Sequence, residues 1–166
     1  MRLLSIDNNE DVHLLRKPSD EVDFILGDNS GDYYLSKNDQ DVISELKKFV
    51  LEKQGLGMSA VQLNIHRQIF VMRKPWNSDQ LITVINPRII RSSGKSKKTE
   101  GCFSYPVGLA MVQRPKQVWV SYYDERGDFN SEEFLLGVEA RVFQHETGHC
   151  FGILMSDGKK FLGWGG

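Results

Sequence analysis

The sequence predicts an α+β fold in which antiparallel sheets surround a central helix that carries candidate metal ligands. Three observations predict it. Short apolar runs alternate with turn residues through the middle of the chain, as in strands joined by hairpins and tight turns. A helical repeat sets in from Asn38, with Val42, Leu46, Phe49 and Val50 at steps of four, three and one. A second helix follows Gly137 and contains His145-Glu146-Thr147-Gly148-His149. The 166 residues amount to a single domain, 1–166, long enough to bury a core.

Taken in order, residues 1–23 are polar with short apolar pieces and Pro18, and predict strand or irregular structure. Asp28-Asn29-Ser30-Gly31-Asp32 is a turn cluster. Ser36 and Asn38 are both candidate caps for the first helix, and Gly55 marks its end. Residues 56–72 predict extended chain, with Ile69-Phe70-Val71-Met72 a buried strand. Leu81 to Ile85 predicts another, closed by Asn86-Pro87.

Arg91 to Lys98 is a basic stretch expected to be a solvated loop. Its Gly94-Lys95-Ser96 ends like a phosphate-binding loop, but Ile89 stands where the first glycine is required. Strands are expected at Ala110–Val112 and Lys116–Tyr123, then a turn at Asp124–Gly127 and a return strand at Ser131–Leu136. The second helix then runs to near Gly152.

Composition narrows the function. Hydrophobic content of 40% and charge of 26% are those of an ordinary globular chain. A net charge of −1 offers no general field for DNA or an anionic membrane. No apolar run of about 18 residues is present, so no membrane span is expected. The N-terminal Met1-Arg2-Leu3-Leu4-Ser5-Ile6-Asp7 has no long apolar region and does not read as a secretory signal. Two cysteines do not make a disulfide framework, which favours a reducing cytoplasmic setting and a free thiol.

His145 and His149, four apart, lie on one helical face, on the stripe of Val138 and Val142. Two imidazoles so placed close on one metal ion, with Glu146 beside them to reach a water. A catalytic site of this kind needs a third protein ligand. Cys102, Cys150, His13, His66 and a carboxylate are the candidates. Cys150 points about 100° away from His149 on the helix and fits a small buried hydrophobe better. His13 and His66 stand in polar stretches and are expected at the surface.

Two further segments contain small residues that permit close backbone approach. One is Gly55-Leu56-Gly57-Met58-Ser59-Ala60-Val61-Gln62, whose glutamine amide is able to donate to a developing oxyanion. The other is Thr99-Glu100-Gly101-Cys102-Phe103-Ser104. In that order, Gly-x-Gly-x-x-Ala-x-Gln, Glu-Gly-Cys-x-Ser and Gln-His-Glu-x-x-His resemble the peptide deformylase family over nearly the whole chain. Leu14 to Pro18 resembles the family's N-terminal segment, and Arg88 to Thr99 the loop before its cysteine.

The resemblance implies a peptide deformylase-like fold and removal of the formyl group from N-formylmethionyl nascent peptides, releasing formate. It implies that Cys102, His145 and His149 bind one divalent metal, ferrous iron in the cell, with zinc, nickel or cobalt as substitutes. Metal charge makes a water reactive near neutral pH. Glu146 would act as general base. Gln62 and the backbone N–H of Phe103 would hold the oxyanion. Leu56, Val138 and Val142 would receive the methionine side chain, with Gly57, Glu100 and Gly101 along the substrate backbone. Nascent chains are thus the expected partner, with room for transient ribosome contact, and the chain is expected to be a monomer.

Three departures accompany the resemblance. Gly148 replaces a usual aspartate, which removes from Arg114 the ion-pair partner that relatives supply and adds roughly 1 kcal/mol of helix cost against alanine. Ser59 replaces a usual alanine, a mild change. Only 17 residues follow His149; this short end suits a divergent member such as one carried by a bacterial virus. The alternatives are a metal-binding relative without deformylase activity and a His-Glu-x-x-His peptidase.

Overall fold

The structure, a computed structural model, describes residues 1–29, 31–106 and 108–157. Helix α1 (Asn9–Arg16) comes first, where strand or irregular chain was expected. Asn8 explains the difference. Its side chain accepts from the N–H groups of Glu10 and Asp11, which are also the acidic residues of the first turn. Lys17 returns to extended geometry one residue before Pro18. Strands β1 (Ile25–Leu26) and β2 (Tyr33–Tyr34) then pair across the predicted turn cluster.

Helix α2 (Lys37–Glu52) is capped by Ser36, whose side chain accepts from Asp39 N–H. Its end falls on Gln54, with φ of 54°, rather than on Gly55. Residues 56–72 are not one extended run. Strand β3 (Gly57–Ser59) is followed by a 3-10 turn over Ala60–Leu63 and then by strand β4 (Ile69–Arg73).

Strand β5 (Leu81–Ser93) continues through Asn86-Pro87, which was expected to close it. A proline has no N–H for the ladder, and the pairing with strand β8 (Gln117–Tyr123) skips from Ile85 to Arg88 there. The first half of β5 pairs with β4 and the second half with β8. The basic stretch 91–98 is mostly strand. Its chain turns at Gly94 from β5 into strand β6 (Ser96–Glu100), which pairs with strand β7 (Ala110–Arg114).

Strand β9 (Phe129–Leu136) completes the main sheet, ordered β3-β4-β5-β8-β9 and antiparallel throughout. Helix α3 (Gly137–Cys150) follows, matching the predicted second helix. It stops at Gly152, whose φ of 73° ends the helix while its Cα lies against the carbonyl of Arg16; a Cβ there would be 2.1 Å from that oxygen.

The sheet is covered on both faces. Ile69 and Val71 of β4 pack with Val42, Leu46 and Val50 of α2. Phe70 and Met72 pack with Ala140, Val142 and Phe143 of α3. That is why β4 reads as an unbroken apolar run. Phe70 and Phe143 meet edge to face at 5.3 Å. No helix among the described residues is long and apolar enough to cross a membrane.

Candidate metal centre

Helix α3 places its two candidate ligands by periodicity. Val138, Val142, His145 and His149 share one stripe, and the two imidazole rings stand 5.0 Å apart. His145 is 8% exposed and His149 1%. Cys102 reaches them from the segment that follows β6. Ligand atoms of Cys102, His145 and His149 lie within 4.8 Å of one another, and Cys102 Sγ is 3.3 Å from His149 Nε2.

Of the candidates left open by the sequence, Cys102 is the one whose ligand atom groups with those of both histidines among the described residues. Cys150 is buried in the apolar cluster with Phe70 and Phe143, where burial pushes its thiol up. His13 is exposed. His66 departs from expectation: the ring is only partly exposed, with both nitrogens shielded from solvent. Neither belongs to the cluster.

One thiolate and two imidazoles fit a divalent transition metal. Tetrahedral ligands at about 2.0–2.3 Å from one ion stand roughly 3.3–3.8 Å from each other. The Cys102–His149 separation meets that requirement. Burial pushes the His145 imidazole down, but Cys102 and Glu100 outweigh it and hold it up at about 10. Burial, with His145 and Arg114 adding to it, pushes His149 well down. A cation entering the cluster must displace the His145 proton.

Glu100 corrects one expectation, that Arg114 lacks an acidic partner. It lines the cleft, and its oxygens also meet three protein side chains. Oε1 meets His145 Nδ1 at 2.9 Å, and Arg114 grips both oxygens at 2.6 and 2.7 Å. Arg141 adds a contact to Oε2 at 2.5 Å. Arg114, fully buried, therefore has an acidic partner despite Gly148. His145 is thereby fixed with Nδ1 on Glu100 and Nε2 left for the cluster. Among the described residues His149 has no such anchor: its Nδ1 is buried without a hydrogen-bond partner there.

Glu146 is 4% exposed, and burial pushes its carboxyl up, against the pull of His145 and the Ser59 hydroxyl. Gln62 is 2% exposed and directs its amide nitrogen at Cys102 Sγ (3.4 Å) and Ser104 Oγ (3.2 Å). Phe103 follows the cysteine, and its ring stacks edge to face on Phe49 at 5.0 Å.

These residues border a cleft of about 490 Å³, lined also by Leu56, Gly57, Gly101, Val138 and Val142. Strand β3 is an edge of the main sheet and runs along the cleft. Gly57 permits this: a Cβ there would stand 3.0 Å from Glu146 Oε1, from Val142 Cγ1 and from the Val71 carbonyl. Sequence reasoning did not single out Arg141, although it lies one helical turn before His145, nor Ser104 as a partner of Gln62.

The model of the polypeptide deformylase family matches residues 5–161. A peptide deformylase of Thermotoga neapolitana is 40% identical over 104 residues, 62% of this chain and 61% of that protein. The matched region thus spans somewhat under two thirds of that relative. A peptide deformylase of Pseudoalteromonas translucida is 34% identical over 119 residues, 70% of this chain and 69% of that protein. The solved peptide deformylase of Plasmodium falciparum superposes with a TM-score of 0.77 at 30% identity, covering 95% of this chain and 85% of that one.

Proposed function

The chain belongs to the polypeptide deformylase family, and from that premise we propose that it hydrolyses the formyl amide of N-formylmethionyl peptides, releasing formate and a free α-amine. The observation that carries the reading is the meeting of Cys102, His145 and His149 within 4.8 Å, at a cleft bordered by Glu146 and Gln62.

Cys102 Sγ, the free ring nitrogen of His145 and His149 Nε2 are the donors we assign to one divalent cation. Held there, the cation would supply a Lewis acid and a water acidic enough to act near neutral pH. Ferrous iron is the metal we assign, with zinc, nickel and cobalt as substitutes; the mixed sulfur and nitrogen donor set supports a metal of this class.

Glu146 takes the proton of the attacking water and passes it to the leaving amine. Its burial raises its basicity toward the operating pH, which suits that role. The Gln62 amide and the Phe103 backbone N–H donate to the carbonyl oxygen as charge grows on it. The edge of β3 at Gly57, with Gly101 opposite, pairs with the extended substrate backbone. Val138, Val142 and Leu56 receive the methionine side chain, whose flexible thioether suits an apolar wall. Arg114, through Glu100, orients His145. The partners that follow are formylated nascent chains in the cytoplasm, met by a monomer with transient access to the ribosome.

The test is formate release from formyl-Met-Ala-Ser by metal-loaded protein. Turnover that is lost in Glu146→Ala is the expected result. Fully metallated protein without turnover would overturn the proposal, as would cleavage of an internal peptide bond in unformylated substrate.

A further inference from the structure

Ser59 lies in β3, fully buried, on the side facing α3. Its hydroxyl is 2.7 Å from Glu146 Oε2 and 3.0 Å from the carbonyl oxygen of the same residue. Among the described residues no other hydrogen bond reaches the Glu146 carboxylate. Its second oxygen, Oε1, is the one that stands beside Gly57 at the cleft. Ser59 also acts through its backbone, where its N–H donates to Gln62 Oε1 at 3.0 Å. That contact settles which end of the Gln62 amide faces Cys102 and Ser104.

We propose that Ser59 is a positioning residue for deformylation, its hydroxyl holding Oε2 of Glu146 so that Oε1 is aimed into the cleft. This rests on the deformylase reading and extends it to a residue outside the metal and oxyanion groups. A glutamate side chain has three rotatable bonds, and fixing them costs conformational entropy. A hydroxyl donating to a buried carboxylate is a charge-assisted hydrogen bond, about twice as strong as a neutral one, and sets one rotamer apart from the rest. Without it the carboxylate is buried with no donor, and its aim is left to weaker contacts. The same strand that would pair with substrate at Gly57 thus orients the proton acceptor two residues later. Ser59→Ala removes the hydroxyl and leaves the backbone N–H that donates to Gln62.

The experiment measures kcat and KM for formyl-Met-Ala-Ser, with metal content, for the protein, Ser59→Ala, Glu146→Gln and the double variant. The expected result is a fall in kcat of about tenfold in Ser59→Ala, a fraction of the 10²–10⁴ that a positioned acid–base group contributes. KM and metal stoichiometry stay unchanged. In the Glu146→Gln background, where no carboxylate remains to be aimed, Ser59→Ala has no further effect. An unchanged kcat in Ser59→Ala would overturn the proposal, as would the same loss in both backgrounds or a loss of metal. Failure of the metallated parent protein to deformylate would instead overturn the reading beneath it.

Discussion

Glu100 ties the candidate metal centre to hairpin β6–β7 through one carboxylate. Burial pushes that carboxyl up, yet the hydrogen bonds and charges of Arg114 and His145 outweigh it and hold it well below the usual carboxylate range. A depressed folded value means that the carboxylate stabilises the fold in full above its ordinary 4.5, and that this contribution is lost as pH falls through the folded value. Glu100→Gln should therefore flatten the acid limb of the stability curve below pH 4.5, measured by urea unfolding across pH. The same variant should weaken metal binding by roughly 10–100-fold, as loss of a contact that orients a ligand does; competition with a chelator checks it. The role of Glu100 was not legible in the sequence, because its partners lie 14, 41 and 45 residues away. His145, His149 and Glu146 were legible, because a helix converts a spacing of four directly into a shared face. Cys102 came from the ordered motifs taken together.

Among the elements, α1 and β5 show where local signals mislead. Only Asp11 and Leu15 of α1 are buried, so its apolar pattern is too thin to register. The cap at Asn8, the acidic first turn and the proline just beyond its end were the available signs. Asn8→Ala should cost about 1 kcal/mol of stability and leave deformylation kinetics unchanged, since among the described residues the Asn8 side chain bonds only the first turn of α1; thermal unfolding beside an activity assay tests both halves. In β5, Asn86-Pro87 looked like a terminator because a proline breaks a ladder. Here it breaks the ladder only locally. Asn86 takes a φ of 52° and its side chain bonds the backbone of Val22 on both sides, at 2.8 and 2.9 Å. Such a side-chain clasp lets the strand resume. Helix α3 was the clearest element, with its start at Gly137 and its stop before Gly152 both marked by glycine.

At the scale of the whole molecule, three stretches of sequence converge because the sheet is covered on both faces. Helix α2 and helix α3 press on opposite sides of β4, which fixes β3 against α3 and brings Ser59 and Gln62 to the helix that holds the histidines. Hairpin β6–β7, locked to α3 by Glu100 and Arg141, delivers Cys102 from the other side. The α+β class and the main-sheet strands beyond β3 were readable from period and turn signals. The order of strands in the sheet and the ion cluster behind His145 were not, because both depend on contacts between distant segments. The account stands on those segments sharing one ion. X-ray absorption at the zinc edge of the zinc-loaded protein tests this most directly. One sulfur at about 2.3 Å and two imidazole nitrogens at about 2.0–2.1 Å are predicted, with the sulfur absent in Cys102→Ala. A zinc shell with no sulfur in the parent protein, or one left unchanged by Cys102→Ala, would contradict it.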